Sequence, residues 1–186
     1  MNRITRLFLI TAIAGLGTAV HAAGHLPSEA GAVGTTIAGI IECGQGYTSH
    51  ELYDVKINVH ELYRGEQAWQ RLQQASSSNR PPAKGYDYIL ARIKFEYEAR
   101  GRPGNCVHDV RRSHYTALSM QDDIYPVPAV TVPQPALSGP LHSGQSIDGW
   151  IAFEVASKDK KPLLTFSVDD SGAVQHAGKL WFKLYK

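Results

Sequence analysis

The residues best suited to chemistry lie close together between positions 100 and 114. This stretch contains four arginines, two histidines, a cysteine and an aspartate: Arg100, Arg102, Cys106, His108, Asp109, Arg111, Arg112 and His114. Thiolate and imidazole groups both suit zinc or copper, so Cys106, His108 and His114 are candidate metal ligands. The four arginines are candidate contacts for an anion or for the carboxylates of a partner protein. A solvated basic loop is the alternative interpretation of the same residues.

A disulfide bond competes with the metal site for Cys106. The chain has two cysteines, Cys43 and Cys106, and an even count is typical of a disulfide in an exported protein. Closing a loop of about sixty residues stabilises a fold by roughly 4 kcal/mol in the chain-entropy treatment. We therefore predict a Cys43–Cys106 disulfide and no metal or other cofactor. A thiol nucleophile or thiolate ligand is the alternative, which an oxidising compartment disfavours.

Other residues that could act in catalysis lack the partners they need. A phosphohydrolase built on His108 and Asp109 requires further His and Asp ligands on helices. The run Ser-Gly-Gln-Ser at 143–146 is not a nucleophile elbow, which needs a glycine two places on either side of the serine. The run Asp-Asp-Ser-Gly at 169–172 lacks the ligand ladder of an EF-hand and is typical of a hairpin turn. The sequence therefore predicts that the protein is not an enzyme.

The first 22 residues have the pattern of a signal peptide. Arg3 and Arg6 precede an apolar run from Leu7 to Val20, which is shorter than the roughly 18 residues of a membrane span. The small residues before and at Ala22 predict cleavage after that position, and no cysteine follows it to carry a lipid. We expect a mature protein in the periplasm or secreted, with no transmembrane segment left after cleavage.

The predicted mature chain carries no net charge that would indicate a class of partner. The full sequence has 19 Lys and Arg against 17 Asp and Glu, and the predicted cleavage removes Arg3 and Arg6 without any acid. The mature chain is then formally neutral, so its total charge favours neither nucleic acid nor an anionic membrane as a partner. Its length of about 160 residues fits one domain with a sizeable core.

An alternation of apolar and polar residues indicates strands through most of the chain. In the stretch Leu141 to Val155, one face is apolar and the other partly polar, and we predict the central strand of the fold here. Further strands are predicted at 35–42, 53–60, 86–98, 115–120, 163–168 and 179–185. Residues 64–75 change to helical spacing and predict one short helix. Five of the ten prolines lie in 126–140, so this segment is predicted as an edge strand or extended connection.

These elements predict an all-β fold, an immunoglobulin-like β-sandwich of about seven strands with one short crossing helix. The predicted organisation is a signal peptide at 1–22, a flexible lead-in at 23–34 and the sandwich domain at 35–186. Three stretches in this order (64–69, 85–93 and 141–155) resemble an exported bacterial family, domain of unknown function 4352. The resemblance implies an immunoglobulin-like sandwich outside the cytoplasm, and it implies no activity.

The sequence leaves several functions open. The first hypothesis is a non-enzymatic, exported binding module that contacts another envelope or secreted protein through the 126–140 segment or the 100–114 loop. An inhibitor or immunity protein that blocks an effector enzyme is a more specific version. A carrier of a metal or small ligand is an alternative from a different class. The sequence does not predict an oligomeric state.

Overall fold

The computed structural model describes residues 24–43, 51–101, 105–168 and 179–186. The predicted signal peptide, Arg102 and the 169–172 turn lie outside the described residues. Within these ranges the chain forms nine strands and one α-helix, in this order: β1 (Thr36–Cys43), β2 (Glu51–Arg64), α1 (Glu66–Ala75), β3 (Tyr86–Ala99), β4 (His108–Val110), β5 (Tyr115–Leu118), β6 (Gly139–Leu141), β7 (Gln145–Ala156), β8 (Leu163–Phe166) and β9 (Leu180–Lys183). Two short 3-10 helices span Pro27–Glu29 and Arg112–His114.

The strands form two main sheets that enclose one apolar core. The first sheet has the order β1-β2-β3-β7, the second has the order β5-β8-β9, and β4 and β6 form a separate pair. All named pairs are antiparallel. The core draws residues from both sheets. The prediction of an all-β sandwich with one short helix is confirmed, and the extra strands β4 and β6 have only three residues each.

The strand predicted to be central lies at the edge of its sheet. β7 pairs with β3 alone among the named strands of the first sheet, and the central strands are β2 and β3. The predicted alternation of β7 is nevertheless correct, since Ile151, Phe153 and Val155 point into the core. Periodicity reports which face of a strand is buried, but it carries no information about neighbours in the sheet.

The proline-rich segment closes the free edge of β7. The amide of Leu137 donates to the carbonyl of Trp150, and the amide of Trp150 donates to the carbonyl of Pro135. A side chain at Gly149 would meet the backbone of Ala136 and Leu137 at 2.6 Å, so this crossing requires a glycine. The segment is an extended connection along an edge, as its prolines predict.

The edge of β9 is closed by residues that were predicted as a flexible lead-in. Gly31 forms a parallel bridge with Phe182, and the amide of Trp181 donates to the carbonyl of Gly24. Ala30 is buried against Trp181 and Leu163 on the outer face of the second sheet. The start of the described chain is therefore part of the packed domain.

Candidate functional site

The predicted disulfide is present. Cys43 at the end of β1 and Cys106 before β4 are bonded, with their Cα atoms 6.3 Å apart. The backbone amide of Cys106 also donates to the Tyr53 hydroxyl at 3.2 Å. The disulfide prediction is confirmed, and the sulfur of Cys106 is not available as a thiolate ligand or nucleophile.

The described arginines of the 100–114 stretch do not converge on one site. Arg100 forms an ion pair with Asp54 on β2 at 3.0 Å. Arg111 forms one with Asp109 at 2.8 Å. Arg112 donates from Nη2 to the carbonyl of Ala152 at 2.7 Å, where it caps a backbone acceptor of β7, and burial lowers the pKa of its guanidinium. These three arginines therefore face different neighbours.

The two candidate histidines pack among aromatic rings. The His108 ring is buried and stacks on Phe95, with ring centres 5.3 Å apart. Its centre is also 5.3 Å from that of His114, whose Nδ1 accepts a hydrogen bond from the Arg111 amide at 3.3 Å. Across the described ranges, no group of three or more His, Cys, Asp or Glu side chains is arranged to hold a metal ion.

The outer face of the first sheet is divided into two halves of opposite character. On one half, five apolar or aromatic side chains of β2, β3 and β7 are covered by α1 and by Val130 and Val132 of the proline-rich segment. We call these five residues the covered half: Tyr63, Tyr88, Leu90, Trp150 and Ala152. Tyr88, Leu90, Trp150 and Ala152 are buried, as are Ala68 and Leu72 of the helix above them.

Beyond the covered half, the central part of this face on β2, β3 and β7 is polar, and no described element packs over it. We call these residues the open half: Asp54, Lys56, Asn58, His60, Lys94, Glu96, Glu98, Ser146 and Asp148. They line two adjoining depressions, of about 280 and 390 Å³, which share Lys56 and Glu96. The antiparallel ladders of β2, β3 and β7 hold their backbones, so the polar groups stand on a rigid surface.

A charged network marks the boundary between the two halves. Arg92 of β3 donates from Nε to Asp148 at 3.0 Å and from Nη1 to Glu61 at 3.1 Å. Its guanidinium lies 5.6 Å from the ring centre of Trp150. His60 Nε2 is 3.0 Å from the same oxygen of Asp148. Each of these charged groups is about one third exposed, which leaves the network in contact with solvent.

A β-bulge assembles this network. The pairing of β2 with β3 shifts register between Val59 and Glu61. The extra residue brings both His60 and Glu61 to the outer face, where they contact Asp148 and Arg92. Bulges occur beside functional sites because they redirect a side chain without ending the strand. The consecutive polar residues His60 and Glu61, which break the alternation of β2, were the signal of this site in the sequence.

An ion pair holds two charged side chains in place at the centre of the open half. Lys94 Nζ is 2.6 Å from Glu96 Oε1, two residues along β3 on the same face. The hydrogen bond from Lys94 lowers the pKa of Glu96 despite partial burial, and the charges of Lys94 and Lys56 lower it further. The same bond raises the pKa of Lys94. Both groups are therefore charged at neutral pH and present fixed positions to a partner.

In the described part of the chain, no helix is both long enough and apolar enough to cross a membrane.

Comparisons with known proteins yield similarity at low identity only. No protein-family model matches the sequence, and no curated protein matches it. The solved ycdA protein of Bacillus subtilis is similar with a TM-score of 0.48 and 12% identity; the match covers 69% of this chain and 35% of that protein. The yjhA protein of Bacillus subtilis gives a TM-score of 0.44 at 13% identity, with coverages of 73% and 79%.

A third solved structure gives a similar result. The secreted protein MPT63 from Mycobacterium tuberculosis has a TM-score of 0.43 and 13% identity, and the match covers 70% of this chain and 83% of that protein. Similarity of this degree does not extend to function. The resemblance to domain of unknown function 4352 stays a prediction.

Proposed function

We propose that this chain is an exported, non-enzymatic binding module that contacts another envelope or secreted protein through the open half. The observation that carries the proposal is the division of the first sheet's outer face. One half is apolar and covered by a helix, whereas the other is polar, rigid and uncovered by any described element. The Cys43–Cys106 disulfide and the signal-peptide pattern support export.

The chemistry of the open half favours a protein partner. It presents charges of both signs in fixed positions, with Lys56 and Lys94 between Asp54, Glu96 and Asp148. Such a pattern gives specificity through complementary charges on a second rigid surface. A sugar site would use exposed aromatic faces, and none of the nine residues of the open half is Phe, Tyr or Trp.

The proposal modifies the contact surfaces expected from the sequence. Arg100 lies beside the open half through its ion pair with Asp54, and we retain it as a contact residue. Arg112 is engaged with the edge of β7, and the proline-rich segment covers that same edge. An inhibitor or immunity protein is the more specific version of the same proposal, because blocking an enzyme also requires a rigid complementary surface.

The test is crosslinking in intact cells followed by purification of the tagged mature chain. We expect one stoichiometric protein partner, which the double variant Lys56→Glu, Lys94→Glu loses. The matched control is Lys84→Glu with Lys158→Glu, two exposed lysines outside the open half that give the same change in charge, and it should retain the partner. Recovery of abundant envelope proteins alone, or equal loss of the partner in the control, would show that the open half is not the binding surface.

A further inference from the structure

Three of the four edges of the two main sheets are closed by other segments of the chain. The proline-rich segment hydrogen bonds to β7 at Trp150, and the start of the described chain hydrogen bonds to β9 at Trp181. Residues 123–125 pair with the edge of β5 at Leu118. The fourth edge belongs to β1. No described residue outside β2 hydrogen bonds to the backbone of residues 36–41.

The hydrogen bonds of β2 show which backbone groups of β1 are left at this edge. Consecutive residues of an antiparallel strand direct their backbone groups to opposite sides. The carbonyl of Leu52 accepts from Arg100 on the β3 side of β2, and the carbonyl of Val59 accepts from Gly34 on the β1 side. Residues 53, 55, 57 and 59 of β2 therefore direct their backbone groups towards β1.

The backbone groups at the edge of β1 belong to alternate residues. The residues of β1 that lie opposite positions 57, 55 and 53 of β2 are Ile37, Gly39 and Ile41. Their amides and carbonyls bond within the sheet, so those of Ala38 and Ile40 point away from it. Ala38 is exposed and Ile40 is half-buried. An extended chain placed beside β1 would meet the same spacing of donors and acceptors as β2 does.

β1 has none of the features that usually prevent pairing at a sheet edge. Edge strands are commonly protected by lysine, by proline or by a β-bulge. β1 has no lysine and no proline, and its eight residues pair with β2 without a shift of register. Its edge is therefore long and regular enough to accept a further strand.

The second sheet extends further than the first on this side of the sandwich. Leu180 of β9 lies beneath β1, where it would meet a side chain added at Gly39 at 2.8 Å. The segment 24–31 then adds a further extended chain beyond β9. In the described ranges, β1 has no such neighbour. A strand added to β1 would lie over the segment 24–31, which its inward side chains could contact.

The outer face beside the edge favours an acidic residue in the added strand. Ala38 is the register partner of Lys56, which belongs to the open half. Lys56 is exposed, and no carboxylate oxygen of the described residues lies within 4.0 Å of its ammonium group. Strands lie about 4.8 Å apart, so the added backbone would be roughly 10 Å from that of Lys56, with only the methyl group of Ala38 between them. A carboxylate opposite Ala38 can therefore form an ion pair with Lys56.

We propose that the protein partner of the open half adds an extended segment to β1, as a fifth strand of the first sheet. This inference rests on the proposed function, because it states how the same partner is held. Backbone hydrogen bonds at the edge would supply affinity, and the ion pair with Lys56 would supply specificity. The β1 strand of a second copy would bring no such carboxylate, since Glu42, its only charged residue, has one carboxylate oxygen buried.

The test selects ligands for the mature protein from a phage-displayed library of random dodecapeptides. We expect enrichment of peptides that carry an acidic residue, and selection on Lys56→Glu should enrich a basic residue instead. A bound peptide should slow amide hydrogen exchange at Ala38 and Ile40, whose amides point to the edge. Gly39 is the internal control, because its amide bonds within the sheet and should exchange slowly with or without the peptide.

A pair of variants at one position tests the backbone contact. Ala38→Pro removes an amide that points to the edge and breaks no bond to β2, and proline is tolerated at such positions of an edge strand. It should weaken peptide binding at least roughly tenfold, because the added strand loses a donor and meets the proline ring. The matched control Ala38→Ser keeps the amide and should bind normally. Thermal unfolding checks that both variants are folded.

The outcomes separate this proposal from the proposed function. Failure to enrich peptides, or equal binding by Ala38→Pro, would overturn strand addition. So would a dimer in sedimentation that Ala38→Pro dissociates, since a second copy would then occupy the edge. A crosslinked partner that Lys56→Glu with Lys94→Glu loses and Ala38→Pro retains would overturn strand addition alone. Peptides that bind β1, with a cellular partner that the two lysine substitutions leave bound, would overturn the proposed function.

Discussion

The covered and open halves belong to the same face of the same three strands, yet they differ in nearly every property. The covered half buries Leu90 and Trp150 beneath a helix, and the open half leaves Lys56 and Lys94 in solvent. The backbone ladder beneath them is continuous, apart from one bulge in β2. What differs is therefore the side chains, and these decide whether the chain covers the sheet with its own helix or leaves it accessible to another molecule.

Arg92 lies where the two halves meet and belongs to both. Its guanidinium approaches the ring of Trp150, which is the covered-half residue of β7 nearest to Asp148. On its other side it binds Asp148 and Glu61. An arginine suits this position because its planar group can contact an aromatic ring and bind two carboxylates at once. The boundary is thus an ordered part of the surface.

The largest expected effect comes from the covered half, with Leu72→Ala. Leu72 is fully buried between α1 and the sheet, so its truncation leaves a cavity. We expect a loss of about 2–5 kcal/mol in the free energy of unfolding, measured by urea denaturation. The control Gln74→Ala, on the exposed side of the helix, should change it by less than about 0.5 kcal/mol. Similar small losses for both would mean that α1 contributes little to stability.

A smaller loss in the free energy of unfolding is expected from Asn79→Ala. This substitution removes the link between the two elements that pack on the covered half, α1 and the proline-rich segment. The Asn79 side chain donates to the carbonyls of Leu72 and Thr131, at 2.6 and 2.7 Å, and accepts from the Thr131 amide at 2.8 Å. It thereby ties the helix to the proline-rich segment. We expect a loss of about 1–3 kcal/mol, because buried polar groups lose partners. Amide hydrogen exchange should become faster around residues 130–132. Unchanged exchange there would mean that Asn79 does not hold the proline-rich segment to the helix.

Most of this architecture followed from the pattern of residues. The alternation in β3 and β7 and the helical spacing of Ala68 and Leu72 predicted all three elements correctly, because burial on one face imposes the period. The order of strands did not follow, since neighbours are chosen by contacts distant in sequence. The edge position of β7 depends on how Gly149 admits the backbone of Ala136, and neither residue alone indicates this crossing.

The candidate site was harder to predict than the fold. The disulfide was predictable, since only two cysteines exist in the chain. The open half was not, because Lys56, Lys94 and Asp148 come from three strands and each reads in the sequence as an ordinary solvent-facing residue. Only strand register brings them together. The clustering of arginines in 100–114 was conspicuous in sequence, yet folding directs Arg100, Arg111 and Arg112 to separate partners.

A modest effect is expected at the boundary between the halves. Arg92→Met keeps the apolar stem but removes both ion pairs. These groups are about one third exposed and solvent screens them, so we expect a small loss in the free energy of unfolding, which becomes smaller still in high salt. A double-mutant cycle with Asp148→Asn, measured by urea denaturation, should give a positive coupling energy. Additive losses in the cycle would mean that the Arg92–Asp148 pair does not stabilise the boundary.

The smallest expected effect lies wholly within the open half and concerns its charge. Lys94 lowers the pKa of Glu96, so Lys94→Met should raise that pKa towards its ordinary value. A lowered pKa in the folded state means that Glu96 adds stability above its unfolded pKa, and that this contribution disappears as pH falls through the folded pKa. Because both side chains are well exposed, solvent screens the pair and the change in stability should be slight.

Carboxyl carbon chemical shifts measured across a pH titration report the pKa directly, with Lys84→Met as the control. An unchanged Glu96 pKa in Lys94→Met would show that the pair is not formed in solution, and that the open half offers a partner mobile charges in place of fixed ones.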